Sequence, residues 1–339
     1  MLINRARAVA QDWVRRNGVR TAFYTGSSLE LDDDAELSAA SDLDIVVVVD
    51  APAPAKIGKL VHHGVRLDVD FLDRRELASP DAVARIHYLA PSFRSERAII
   101  IDADGALRAI HDHVAPIFDR PDVVWGRCES VLRRMTSGLA RVGEEAGWPT
   151  QLIGWLFPVS LPTQLLLVSG CRNPTVRLRY LRTRELLVDH QLTGLYPALL
   201  EQLGCLAVTP ATVLDHLDNL TSAFDATAAV PTDLAFAADL SVDNRPVAID
   251  GTRRLIEQGD HREAVFWLVV TFARCQLTLD LAADPGPADQ HRPLLAAAAA
   301  DLLGVRGPAD LQRRARSTEK GLPELASTAR KIIAQLPAH

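Results

Sequence analysis

Gly26-Ser27-Ser28, then Asp42-Leu43-Asp44, then the run Arg66–Leu72 carrying Asp68 and Asp70 follow one another near the start of the chain. A Gly-Ser turn after a strand lets phosphate groups approach backbone N–H donors, because glycine has no Cβ in the way and serine adds a hydroxyl. Asp42 and Asp44, two apart on extended backbone, present both carboxylates on one side. A carboxylate from a neighbouring strand would complete an oxygen cage. Two carboxylates about 4 Å apart repel by roughly 4 kcal/mol at an effective dielectric of 20, so such a cluster needs a cation. Mg²⁺, a hard ion that prefers oxygen, is the expected one. Two such ions can activate an attacking hydroxyl and stabilise a pyrophosphate leaving group during in-line displacement. Asp68 and Asp70 point to the same side of an alternating strand, so the pattern does not choose between them for the third carboxylate. The apolar continuation Phe71-Leu72 favours Asp70. The triple Asp32-Asp33-Asp34 reads as a solvated loop tip.

These residues need strands to carry them. Val19–Thr25 reads as a strand running into the Gly-Ser turn, and Asp44–Val49 is a continuous apolar run of the kind buried on both faces. Arg66–Leu72 alternates strictly, and Ala98–Asp102 completes a set of four. A helix is expected over Ile3–Asn17, ending at Gly18. After about residue 106 strand signals nearly vanish, and helical patterns recur at 106–117, 122–146, 161–169, 175–190, 195–204, 210–227, 247–258, 261–282 and 292–303. The fold class is therefore α+β: a small mixed-sheet domain over residues 1–120, followed by a helical domain over 121–339. Residues 228–246 read as a long connection, and the charged tail after about 305 as partly loose.

The totals set bounds on function. At 339 residues, 48% of them apolar and 24% charged, both domains can bury real cores. A net charge of −6 argues against a surface built to grip nucleic acid. The four cysteines have neither zinc-site nor dithiol spacing and read as buried thiols in a reducing compartment. The N-terminus lacks a signal-peptide pattern, and apolar runs such as Ala264–Ala273 are too short to span a bilayer, so a cytoplasmic protein is expected.

The run Phe23–Val49, FYTGSSLELDDDAELSAASDLDIVVVV, resembles the signature of the polymerase-beta-like nucleotidyltransferase superfamily: an apolar strand, Gly-Ser, a short loop, then Asp-apolar-Asp. The likeness is to stand-alone bacterial members, among them the aminoglycoside nucleotidyltransferases. It covers roughly residues 19–72 by motif, and the loop before Asp42 is longer and more acidic than is usual there. The resemblance implies that Gly26 and Ser27, with Ser28 beside them, hold the terminal phosphates of a nucleotide. It implies that Asp42 and Asp44 bind metal and that Asp68 or Asp70 supplies the third carboxylate. The implied reaction moves a nucleoside monophosphate, AMP from ATP, to a hydroxyl of a small molecule such as an antibiotic or a biosynthetic intermediate, with two Mg²⁺ ions and release of pyrophosphate.

In the helical part, Arg177, Tyr180 and Arg184 fall on one face of the expected 175–190 helix and form a candidate cationic surface for a triphosphate. A solvated helix face would look the same. Glu129, Glu144 and Glu145 are candidates for a general base, with nothing to select one. His111-x-His113 lacks a third ligand, and Trp148 and Trp155 read as core. The segment 261–282 serves as core or as a homodimer contact. Two other functions fit the sequence less well: nucleotidyl transfer to RNA or protein, against which the acidic balance counts, and a catalytically inactive nucleotide-binding module. A degenerate copy would usually lose one of the carboxylates retained here.

Overall fold

The apolar run Ile45–Val49 lies in the central strand of a five-stranded mixed sheet, and the two faces of that strand explain why the run is apolar throughout. In this computed structural model the described residues are all except Ala39, Ala51, Glu145, Ala146, Ala229, Ala338 and His339. The strands are β1 (Thr21–Thr25), β2 (Leu43–Val49), β3 (Gly58–His62), β4 (Val65–Asp73) and β5 (Ile99–Asp102), in spatial order β3-β4-β2-β1-β5. The β2–β4 pair is parallel and the other pairs are antiparallel. On one face Leu43, Ile45, Val47, Leu67 and Val69 pack with α1 (Ile3–Arg16), whose buried Ile3, Ala6, Ala10, Trp13 and Val14 recur at helical spacing. On the other face Val48, Leu72 and Phe23 pack with Val83 of α2 (Pro80–Ala84) and with Leu107, Ile110 and Val114 of α3 (Ala106–Val114). Asp44 and Asp68 belong to this second face by alternation.

The chain divides into two compact units. The first is Met1–Ser130 with Val168–Thr175 and Leu336–His339; the second is Val131–Leu167 with Val176–Gln335. The expected division at 120/121 falls ten residues before this one, at the start of α4 (Pro121–Ala140). Among the described residues, eight further α-helices of at least eight residues follow: α5 (Trp148–Ser169), α6 (Arg179–Asp189), α7 (Tyr196–Leu203), α8 (Pro210–Thr227), then, after the short α9 (Gly251–Glu257), α10 (His261–Leu279), α11 (Gly286–Leu303), α12 (Pro308–Lys320) and α13 (Leu322–Ile333). Helix α10 is buried nearly all round and packs against α8, α9 and α11, so it is the core of the second unit.

Three expectations need correction. The strand β3 was absent from the sequence reading. It pairs with β4 through the two-residue turn His63-Gly64, whose φ values of 44° and 77° match the mirror-image turn that suits strand twist. The helix expected at 161–169 begins at Trp148 and runs on through Pro158 and Pro162. Gly138 makes room for Pro158, since a Cβ there would stand 2.8 Å from the Pro158 Cβ. This α5 is long and apolar enough to cross a membrane, but 83% of its most apolar window is buried in protein, as in a core helix. The tail after 305 forms α12 and α13 instead of a loose segment.

Phe23 is fully buried and its ring lies 5.1 Å from that of Phe93. Phe23→Ala is expected to destabilise the first unit by about 3–5 kcal/mol, whereas Val242→Ala, at an exposed position, should stay within about 0.5 kcal/mol. Urea unfolding followed by circular dichroism checks the contrast.

Candidate metal centre

Antiparallel pairing of β1 with β2 sets Thr25 opposite Asp44, so the next residue, Gly26, comes to lie against the Asp44 side chain. Gly26 has φ 74° and ψ −168°, a conformation open to glycine, and a Cβ on it would stand 1.8 Å from Asp44 Oδ2. Glycine is therefore required here twice over, by backbone and by space. The parallel register of β2 and β4 then places Asp68 beside Asp44. Asp42, Asp44 and Asp68 each bring a carboxylate oxygen within 4.8 Å of the others. Asp70 shares the face but sits one pleat further along, opposite Val46. It is exposed, and its Oδ1 accepts the Phe71 N–H at 2.8 Å. Register, which the alternation could not supply, favours Asp68 over Asp70.

Two lysines that sequence reasoning missed complete the cluster. Lys59 of β3 is opposite Asp68 and pairs with Asp42, and with Asp68 at 3.2 Å; Lys56 lies 2.7 Å from Asp68 Oδ1. Both Asp68 oxygens therefore face an ammonium group. With all three carboxylates ionised, they would exceed the two ammonium groups by one negative charge. Burial, followed by the negative charges of Asp42 and Asp68, holds the Asp44 carboxyl well above the usual carboxylate range; Lys59 and Lys56 pull the other way. Burial also pushes the Asp68 carboxyl up, but Lys59 and Lys56 outweigh it and the net shift is down. An all-oxygen donor set with an excess negative charge, closed on one side by a glycine that a side chain could not replace, fits a hard divalent cation.

Ser27 opens the short turn Ser27–Glu30 and is exposed, whereas Ser28 is buried. The Gly26 carbonyl accepts a hydrogen bond from the Asn173 side chain, and the Asn173 N–H donates to Glu30 Oε1 at 2.9 Å. Beside this turn, within the first unit, lies a cavity of about 710 Å³ lined in part by Arg7, Arg94, Arg97, Arg172 and Phe118. Arg94 stands over the Phe118 ring at 5.0 Å. The charged lining is thus four arginines against Glu30 and Asp119.

The cationic helix face expected from Arg177, Tyr180 and Arg184 does not form. Helix α6 begins at Arg179, so Arg177 lies in the preceding turn. Tyr180 is buried, with its ring 6.4 Å from that of Phe266. Arg184 is held by Asp260 at 2.7 Å and Glu263 at 2.5 Å, inside the helical unit. Glu129 accepts from the Trp125 indole, and Glu145 lies outside the described residues. His113 pairs with Asp81 while His111 lies 3.1 Å from the Phe93 carbonyl, so the two face different partners. Asp33 binds Arg7 at 2.6 Å and is exposed with Asp32 and Asp34. Compared with protein-family models and with curated proteins, the sequence matches none.

Gly26→Ala is expected to displace the Asp44 carboxylate and weaken divalent-cation binding at this cluster by at least about tenfold, or roughly 1.4 kcal/mol. Mn²⁺ titration followed by electron paramagnetic resonance measures it; unchanged affinity would remove Asp44 from the ligand set.

Proposed function

We propose that this chain is a metal-dependent nucleotidyltransferase, passing a nucleoside monophosphate, AMP from ATP foremost, to a hydroxyl of a small molecule. The observation that carries the reading is the meeting of Asp42, Asp44 and Asp68 at Gly26, on adjoining strands of a small mixed sheet. The order of these elements is that of the polymerase-beta-like nucleotidyltransferases, which the sequence resembles from Val19 to Leu72. Asp42, Asp44 and Asp68 would hold Mg²⁺, which when bound supplies charge neutralisation for the phosphates and an activated hydroxyl.

The protein's own groups supply the rest. Backbone at Gly26 and the exposed Ser27 hydroxyl receive terminal phosphates, and the turn is braced by Asn173. The arginines of the adjoining cavity suit the anionic part of a substrate, the role that Arg177 and Arg184 do not fill. Asp68, kept ionised by Lys56 and Lys59, accepts the proton of the attacking hydroxyl. The acceptor oxygen forms its bond to the α-phosphorus as the bond to pyrophosphate breaks, and pyrophosphate carries away the electron pair. The acidic net charge favours a small acceptor over RNA. All four cysteines are free thiols, three of them buried, which suits the reducing cytoplasm.

One observation favours a second reading. Lys59 joins Asp42 and Asp68 as a built-in counter-ion, as it would in a module that binds nucleotide without metal or turnover. Lys59→Met separates the two. If Lys59 only balances charge until a cation arrives, the variant binds Mg²⁺ several-fold more tightly; if it replaces the metal, neither wild type nor variant binds it.

Calorimetric titration of ATP with and without Mg²⁺ tests the main reading. Mg²⁺-dependent binding is expected in wild type and lost in Asp42→Asn/Asp44→Asn, with turnover down at least about a hundredfold. Asp68→Asn should be severe and Asp70→Asn mild. Absence of binding by any nucleoside triphosphate in either condition overturns the reading.

A further inference from the structure

On the face of the sheet that carries α1, opposite the carboxylate cluster, Asp12, His62 and His63 each bring a ligand atom within 4.8 Å of the others. Successive residues of a strand point to opposite faces, so neighbouring histidines would normally part company. Here His62 ends β3, and His63 takes φ 44° in the turn before Gly64. The left-handed backbone brings the two rings together, centroids 4.2 Å apart. Both Nε2 atoms approach the same oxygen, Asp12 Oδ2, at 3.1 Å for His62 and 3.8 Å for His63. In a tetrahedral zinc site with bonds of about 2.0–2.1 Å, ligand atoms stand about 3.3 Å apart. The two observed separations bracket that value.

We propose that Asp12, His62 and His63 form a second cation site, selective for a borderline transition ion, Zn²⁺ foremost, over Mg²⁺. Two imidazole nitrogens and one carboxylate oxygen suit Zn²⁺, while Mg²⁺ prefers oxygen throughout. Three protein ligands leave a fourth position for water, reached from the side of His63, whose side chain is 58% exposed. A simple His–Asp pair would account for His62 but not for the second imidazole on the same oxygen. Arg16 also contacts Asp12 Oδ2, at 2.8 Å, from the next helical turn; it is 65% exposed and free to swing into solvent when a cation takes its place. An ion here clips the β3–β4 hairpin to α1. Strand β3 carries Lys59 three residues before His62, so the clip also fixes the strand that supplies counter-charge to the carboxylate cluster.

The test uses the full chain stripped of metal, with Asp42→Asn/Asp44→Asn to silence the first cluster. Zn²⁺ is titrated by calorimetry, and Co²⁺ by visible absorption, which reports coordination geometry. One equivalent of Zn²⁺ is expected, undisturbed by excess Mg²⁺, with affinity at least about tenfold lower in His63→Ala and in His62→Ala. The exposed His63 ring makes His63→Ala the safer variant, and circular dichroism verifies its fold. Absence of Zn²⁺ binding, or binding that His63→Ala leaves unchanged, overturns the proposal. Because the first cluster is disabled throughout, either result is independent of whether the chain transfers nucleotides.

Discussion

The Asp44 carboxylate lies directly on the backbone of Gly26, and most of the first unit is arranged around that contact. A side chain at position 26 would occupy the space of Asp44 Oδ2, so the end of β1, the turn that follows and the start of β2 are mutually fixed. The carboxyl is costly to ionise where it stands, because burial and two more carboxylates oppose its charge. The lysines on and before β3 offset part of that cost, which gives an edge strand with few apolar contacts a reason to be there. Hydrogen bonds from Asn173 to the Gly26 carbonyl and to Glu30 hold the turn from outside.

Elsewhere the protein buries positive charge by a different route. Arg127 is almost wholly buried, donates to the Ala84 and Phe118 carbonyls, and stacks 4.1 Å from the centre of the Phe118 ring. In the helical unit Arg179 donates to Val176 and Ser160 and lies 4.2 Å over Phe266. Burial brings its pKa down to about 9, so it still carries its proton at neutral pH. Aromatic faces and carbonyl oxygens stabilise these guanidinium groups without carboxylates. The acidic centre stands out because its charge excess is negative and compact, whereas these cations are dispersed and individually satisfied.

What could be read from sequence follows from which forces are local. The run Asp44–Val49 declared a strand covered on both faces, and Arg66–Leu72 declared its alternation, because burial is written residue by residue. The choice between Asp68 and Asp70 was not written there: both face the same way, and only the β2–β4 register, a property of two segments together, separates them. Strand β3 was missed because Lys-Leu-Val-His is short and half-exposed, and its turn, His63-Gly64, lacks the usual asparagine or aspartate. Lys59 was missed with it. Helix α5 was read as starting late because prolines ordinarily end helices; here the close approach of Gly138 to Pro158 and near-complete burial outweigh that local preference. Arg177, Tyr180 and Arg184 shared a face only on the assumption that the helix began before Arg179.

The first unit leaves the chain at Ser130 and resumes at Val168. Asn173, which caps the Gly26 carbonyl, is 147 positions from it, and Cys171 and Arg172 line the same cavity. During synthesis at about 5–20 residues per second, the ribosome therefore needs on the order of ten seconds between making the turn and making its cap. The sheet can assemble early from nearby segments, but the Gly26 turn acquires its last wall only after the intervening helices have emerged. Closing a loop of that length is a slow, entropically opposed event. The first unit of this protein is thus encoded first and finished late.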